Sequence, residues 1–394
     1  MTSTVRGEAE EGMGDNRAVT TTEQPPSLSS ALARRIADGI AEAGGWTGFD
    51  RFMEWALYTP GLGYYANALP KFGALPQSGS DFVTAPEMSP VFGQALARQV
   101  REALDATGTH DIWEFGAGSG ALAAQLLEAL GDRVRRYTIV DLSGSLRERQ
   151  RERLAPWGDR VHWAQALPER IEGVVVGNEV LDAMPVRLLA RHGGAEGGTW
   201  HERGVVVAPA DGGVPRFAWE DRPTALRPPV EPEGPQDYVT EIHAQGEGFL
   251  RMLGQRLARG AAFLIDYGFP EAEYYHPQRH MGTLVCHRAH QVDSDPLSDV
   301  GAKDITAHVN FTAMAVAAQE AGLGVLGYTT QAHFLINCGL LSLLEPLPQA
   351  QRAQAAKLMM EHEMGELFKV LAVGAGVPAW TPVGFARGDR THRL

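Results

Sequence analysis

From residue 28 onward the chain switches between two spacings of apolar residues. Leu28, Leu32, Ile36 and Ile40 recur every four positions. This predicts an amphipathic helix over Leu28–Ala43, with Ser27 placed to cap it. Phe49, Phe52, Met53 and Ala56 predict a second helix over Phe49–Leu57. From Ile112 the period changes. Short apolar runs at Ile112–Phe115, Tyr137–Val140, Val161–Ala164, Gly173–Gly177 and Ala261–Asp266 alternate with helical stretches at Ser119–Leu130, Gly144–Leu154 and Gly246–Ala258. The three consecutive valines at Val174–Val176 fit a strand buried on both faces. Strand–helix alternation predicts an α/β fold, a doubly wound parallel sheet with helices on both sides. Ligands on such sheets bind beyond the carboxyl ends of the strands, where Gly116, Asp141 and Asn178 should gather.

Pro185–Trp219 breaks this rhythm. Strand-like pieces at Val186–Ala190, Thr199–Val207 and Arg216–Trp219 are separated by glycine-rich turns, which predicts antiparallel hairpins. Arg222–Gln236 is rich in proline and reads as a surface connector. Phe269–Gly301 reads as a long irregular insertion, Asp304–Gly322 as a helix, Val325–Thr329 as a strand and Phe368–Val373 as a last strand. Met1–Ser27 is polar and without period, and reads as a disordered leader. The expected organisation is therefore a leader (1–27), a helical N-terminal region (28–110), a sheet core (111–184 and 237–394, with the insertion at 269–303) and an antiparallel β insertion (185–236).

Composition narrows the function classes. The 394 residues are 44% hydrophobic, enough for a sizeable core, and carry a net charge of −13. That charge argues against a grip on nucleic-acid phosphates or an anionic membrane. Cys286 and Cys338 are the only cysteines, so no disulfide framework is expected. No apolar run reaches membrane-spanning length, so no membrane insertion is expected. The first residues lack a hydrophobic signal core and are too acidic for a usual mitochondrial transit peptide. The default compartment is cytoplasmic.

The richest chemistry sits at Asp111–Ala121, DIWEFGAGSGA. A strand runs into a glycine turn and then a helix, whose N-terminus offers free N–H groups. Gly116, Gly118 and Gly120 would turn the chain, admit a ligand to the backbone and pack helix on strand. The same spacing also fits a dinucleotide site, or a turn that binds nothing. Glu114 favours a third ligand. A carboxylate there repels a pyrophosphate but suits an ammonium, and S-adenosylmethionine has an ammonium, a sulfonium and no phosphate. Asp141, followed by Leu142, ends the next strand and is placed to take ribose hydroxyls. Thr84, Pro86 and Glu87 form either a capping box or a loop folded over the cofactor.

Asn178, Glu179 and Asp182 follow the valine strand. If they lie on one helical turn, the two acids share a side and could grip a guanidinium in fork geometry. The plainer reading is a turn cap and a solvated acid. Asp266 and Tyr267 should face the same cleft or bond a neighbouring loop. Tyr64 and Tyr65 fit an aromatic wall over the substrate or plain core packing. His276, His280, His287 and His290 lack metal-site spacing, since Pro277 breaks the helix that would align the first two. No metal is expected, and His308 reads as structural.

Taken together, several blocks resemble the MidA family of class I S-adenosylmethionine-dependent methyltransferases. They are Ser80–Glu87 (SDFVTAPE), Glu114–Gly120 (EFGAGSG), Asn178–Pro185 (NEVLDAMP), Leu264–Gly268 (LIDYG), Asp304–Phe311 (DITAHVNF) and Met364–Val370 (MGELFKV). The resemblance spans about Leu28 to Val373. It implies a class I methyltransferase fold and S-adenosylmethionine as cofactor. Mitochondrial members of the family are protein arginine methyltransferases that act in assembly of respiratory complex I. It therefore implies a protein substrate, with a respiratory complex subunit as one candidate. Ser80 departs from the glycine usual there. Val285 and Cys286 stand where the family tends to carry an arginine. The oligomeric state stays open, a homodimer included.

Overall fold

The computed structural model describes residues 27–67, 84–141, 144–164, 166–193, 198–209, 213–288, 291–377 and 380–394. Leu142, His290, the segment 80–83 and the leader up to residue 26 lie outside the described residues.

Two helices open the fold, α1 (Leu28–Glu42) and α2 (Phe49–Tyr58). The Ser27 hydroxyl accepts the Ser30 N–H and caps α1. A single helical turn, Ala85–Met88, leads into α3 (Val91–Thr107). Then come β1 (Asp111–Phe115), α4 (Ala121–Leu130), β2 (Arg136–Val140), α5 (Gly144–Leu154), β3 (Val161–Trp163) and β4 (Ile171–Asn178). The antiparallel strands β5 (Arg187–His192), β6 (Thr199–Ala208), β7 (Arg216–Pro223) and β8 (Tyr238–Ile242) follow. The chain returns to the core through α6 (Ala244–Arg256) and β9 (Leu257–Phe269). Short strands β10 (Val285–Arg288), β11 (Gln291–Asp293) and β12 (Asp304–Thr306) precede α7 (Phe311–Glu320), β13 (Gly324–Thr330) and β14 (Phe368–Ala375).

The central sheet has the order β13–β14–β9–β4–β1–β2–β3. Neighbours from β9 to β3 are parallel, and β14 runs antiparallel to both of its neighbours. Alternation along the strands divides the core. In β9, Ala261, Phe263 and Ile265 face the layer of α3 and α4, while Ala262 and Leu264 face α6 and α7. Both faces are apolar because both are covered by helices.

A second sheet pairs β5 with β6 and β8, β7 with β6, and the extended pair Thr47–Gly48 with β6. Helices α1 and α2 pack on it through Leu32, Ile36, Phe49, Phe52 and Val205. The N-terminal helices and the insertion therefore share one core.

Two local expectations are corrected. The helix expected over Asp304–Gly322 begins only at Phe311, because β12 pairs with β10 through Cys286 and Ile305. The insertion at 269–301 is not wholly irregular: it supplies β10, β11 and the turn Glu271–Tyr274. Glu241 holds it in place. Its buried carboxylate accepts the N–H groups of Thr283 and Leu284 at 2.7 and 3.1 Å and the Tyr274 hydroxyl at 3.1 Å.

Candidate active site

A cleft of about 710 Å³ opens at the carboxyl ends of β1, β2 and β4. That size is in the range of small-molecule and cofactor sites. One part is lined by Glu114, Gly116, Gly118, Asp141, Leu146 and Arg147. The other is lined by Tyr58, Tyr65, Asn178, Glu179, Asp182 and Met184.

The glycine turn is built as the sequence requires. Gly116, Gly118 and Gly120 have φ of 64°, 53° and 80°, in the left-handed region. A Cβ on Gly116 would meet Val180 Cγ2 at 2.9 Å. Gly120 caps α4 and does not line the cleft; it sits against Gln150 and Leu154. Gln150 is a residue the sequence did not single out. Its Nε2 donates to Gly118 O at 2.9 Å and to Asp141 Oδ2 at 2.8 Å, and Trp163 Nε1 fixes its carbonyl at 2.9 Å. One amide thus joins the glycine turn to the acid at the end of β2. Arg147 Nη2 donates to Asp141 O at 2.8 Å and frames the same corner.

Glu114 and Asp141 lie at the same end of the sheet, since β1 and β2 pair Phe115 with Val140. Glu114 is 2% exposed, and its Oε2 accepts the Tyr137 hydroxyl at 2.8 Å. Burial, with Asp141 adding to it, pushes its carboxyl up to about 8, against the lowering effect of that hydrogen bond. A buried acid facing a cleft can pair with a cation once it gives up its proton. The ammonium of S-adenosylmethionine supplies one, and the turn leaves room for its backbone approach. The residues present fit that cofactor.

The segment 84–87 divides its work. Thr84 and Pro86 line the cleft. The Thr84 side chain makes no capping bond. Glu87 is outside the lining; its Oε1 accepts the Ser119 hydroxyl and Arg153 Nη1, the latter at 2.8 Å. It therefore ties the segment to the glycine turn and to α5, rather than touching the cleft itself.

The acid pair lies on a turn, not a helix. Glu179 has φ +54°, a strained conformation for a side-chain-bearing residue, costing on the order of 1–2 kcal/mol. Asp266 helps to hold it. This residue is 1% exposed, and its Oδ2 accepts the N–H groups of Val180, Leu181 and Asp182 at 3.1, 2.9 and 3.2 Å. Its Oδ1 accepts the Tyr267 N–H at 2.9 Å. Asp266 thus sits behind the turn and supports it, outside the cleft. Tyr267 is also outside the lining, and its hydroxyl bonds the Asp182 carboxylate. Tyr64 lies in the core at 2% exposure, not over the cleft, whereas Tyr65 lines it. Of Tyr64, Tyr65, Asp266 and Tyr267, Tyr65 alone lines the cleft.

Glu179 is pushed up to about 8 by burial and by Asp182, although Asn178 Nδ2 donates to it at 2.8 Å and the Ala85 N–H also bonds it. Asp182 is pushed up to about 6 by burial, against hydrogen bonds from Tyr267 and backbone N–H groups. The partners of both acids are an amide, a phenol and backbone donors, all neutral. Asn178 Oδ1 and Asp182 Oδ1 are buried acceptors with no donor among the described residues. Tyr58, from α2, completes this wall, its hydroxyl donating to Ala183 O at 2.8 Å. Among the described residues, no group of three His, Cys, Asp or Glu side chains is arranged to hold a metal ion, and no helix is long and apolar enough to cross a membrane.

Comparison with known proteins bears on the family, the fold and the cofactor. A sequence profile of S-adenosyl-L-methionine-dependent methyltransferases matches residues 95–329. The mitochondrial protein arginine methyltransferase NDUFAF7 of Danio rerio is 26% identical over 388 residues, covering 88% of this chain and 87% of its own length. The Drosophila melanogaster homologue is also 26% identical, over 91% of this chain and 89% of its own. A COG1565 superfamily member from Burkholderia thailandensis, solved bound to S-adenosyl-homocysteine, is 50% identical with a TM-score of 0.86, over 93% of this chain and 97% of that one. A native crystal structure of a COG1565 protein from the same organism is 48% identical with a TM-score of 0.83. The fold is the class I methyltransferase fold and the cofactor is S-adenosylmethionine. The chain belongs to the MidA-like family of S-adenosyl-L-methionine-dependent methyltransferases.

Proposed function

We propose that this enzyme methylates an arginine side chain of a protein substrate. The observation that carries this reading is the pair Glu179 and Asp182: buried acids with raised pKa and neutral partners only, on the cleft wall beside the cofactor half. A guanidinium is the cation that fits. It stays charged, is planar, and offers parallel N–H donors to two carboxylates. The relatives named as protein arginine methyltransferases support the same acceptor. A respiratory complex subunit is one substrate class this reading admits.

S-adenosylmethionine, when bound, supplies an electrophilic methyl group and a good leaving group. The chain's own task is to align and polarise the acceptor. Glu179 and Asp182 draw charge on the guanidinium away from one nitrogen and fix that nitrogen toward the cofactor half. Asn178 Oδ1 is a further acceptor for an N–H. The carboxylate pair takes the proton that the methylated nitrogen gives up. Apolar neighbours such as Met184, Phe249 and Met252 exclude water.

Proteome-wide mass spectrometry of the host, with and without this gene, tests the reading. Loss of mono- or dimethylation at an arginine is the expected result. Unchanged arginine methylation, or a loss confined to other residue types, would refute it.

Glu114 gives a separate prediction on the cofactor half. Its folded-state carboxyl is raised from 4.5 to about 8, so below about pH 8 a proton must leave before it can pair with an ammonium. S-adenosylhomocysteine affinity should therefore rise with pH between 6 and 8, by at most about tenfold per unit. Calorimetric titration at several pH values measures it. Glu114→Gln should bind more weakly at pH 8 and lose that slope.

A further inference from the structure

Resting on the arginine reading above, the geometry points to Tyr58 and Tyr65 as the wall that selects a guanidinium over an ammonium. Both tyrosines line the cleft together with Glu179 and Asp182. Their rings are stacked, with centroids 5.6 Å apart and planes 23° from parallel. They come from different local structures, the end of α2 and the turn after it, and neither ring is free to swing. The Tyr58 hydroxyl is held by Ala183 O at 2.8 Å, next to Asp182 on the acid turn. The Tyr65 hydroxyl is held by Asp304 Oδ2 at 2.8 Å, from β12. Tyr64, in the core, supports Tyr65 in an edge-to-face contact with centroids 5.1 Å apart.

The two carboxylates alone do not distinguish arginine from lysine. An ammonium also neutralises a buried acid, as a point charge. What separates the two cations is the flat, weakly hydrated face of the guanidinium, which gains from aromatic contact as it enters a desolvated site. Burial and the nearby acids Asp304 and Asp182 keep both phenols un-ionised, so the wall stays aromatic and neutral at working pH. Asp304 is a positioning residue here: it is outside the cleft lining, and it fixes the Tyr65 ring. The wall thus adds a shape test to the charge test that Glu179 and Asp182 impose.

Calorimetric titration tests this on the full chain saturated with S-adenosylhomocysteine, with Nα-acetyl-arginine amide and Nα-acetyl-lysine amide as probes. Wild type should prefer the arginine probe by about tenfold. Tyr65→Leu should bring that ratio close to one while leaving S-adenosylhomocysteine binding unchanged. Tyr65→Phe, which keeps the ring, should retain most of the preference. Tyr58→Leu gives the same reading where Tyr65→Leu does not fold. A leucine variant that binds S-adenosylhomocysteine and keeps the full preference for arginine overturns the wall and leaves the arginine reading standing. A wild type that binds the lysine probe as well as the arginine probe, or binds neither, overturns both.

Discussion

Glu179→Gln should abolish most turnover while leaving the protein folded and able to bind S-adenosylhomocysteine. The expected loss in kcat is about 100- to 1,000-fold, the scale seen when one preorganised electrostatic partner of a transition state is removed. The amide keeps the size of the side chain and can still accept the Asn178 Nδ2 hydrogen bond, which is 2.8 Å in the native site. It loses the charge that polarises a guanidinium. Stability moves the other way. Glu179 is raised from 4.5 to about 8, so the folded state holds a proton there that the unfolded chain has released at neutral pH. Its contribution is fully present below about pH 4.5 and is lost as pH rises through about 8. The glutamine has no such slope. Melting curves from pH 6 to 9 should therefore show the ligand-free variant gaining on wild type as pH rises. Methyl transfer measured with labelled donor supplies the other half. A variant within a few-fold of wild-type turnover would remove Glu179 from the chemistry.

The two halves of the site were not equally legible in the sequence. The cofactor half is local: Glu114, Gly116 and Gly118 sit in one strand and one turn, and strand pairing brings Asp141 to the same end of the sheet. The glycine turn, Glu114 and the strand-end Asp141 were enough to propose it from sequence. Gln150 was not visible, because its importance lies in two acceptors, Gly118 O and Asp141 Oδ2, that meet only when α5 packs beside the turn. The acceptor half is assembled from distant segments. Tyr58 reaches Ala183 O across 125 positions, and Tyr65 reaches Asp304 across 239. No periodicity reports such contacts. Asp304 itself sits in a stretch read as helix, although Ile305 and Thr306 are β-branched and favour the strand that forms. Tyr64 and Tyr65 are adjacent residues in a turn of identical local character. Only the tertiary fold decides that the first enters the core and the second faces the cleft.

The second large effect is expected at a residue that never meets substrate. Asp266→Asn should disable the enzyme by releasing the acid turn. The native carboxylate accepts at both oxygens, three N–H groups on Oδ2 and the Tyr267 N–H on Oδ1. An asparagine must turn its amide group toward one of these sets, so a donor then faces donors. Leaving buried N–H groups without an acceptor costs about 1–3 kcal/mol for each group that finds no substitute. Part of that is recovered, because Asp266 is itself raised well above the usual carboxylate range by burial and by Asp182 and Glu179. The balance is a loss of about 2–3 kcal/mol in stability. The functional loss should be larger than stability alone explains. The three N–H groups belong to Val180, Leu181 and Asp182, and together with the Glu179 N–H bond to Ile265 O they hold Glu179 at φ +54°. Without them the strained residue can relax, and its carboxylate leaves the position facing Asp182. We expect kcat to fall by about 100-fold or more, while S-adenosylhomocysteine still binds through the untouched β1 and β2 ends. A folded Asp266→Asn protein with wild-type kcat would show that the turn holds its shape without this support.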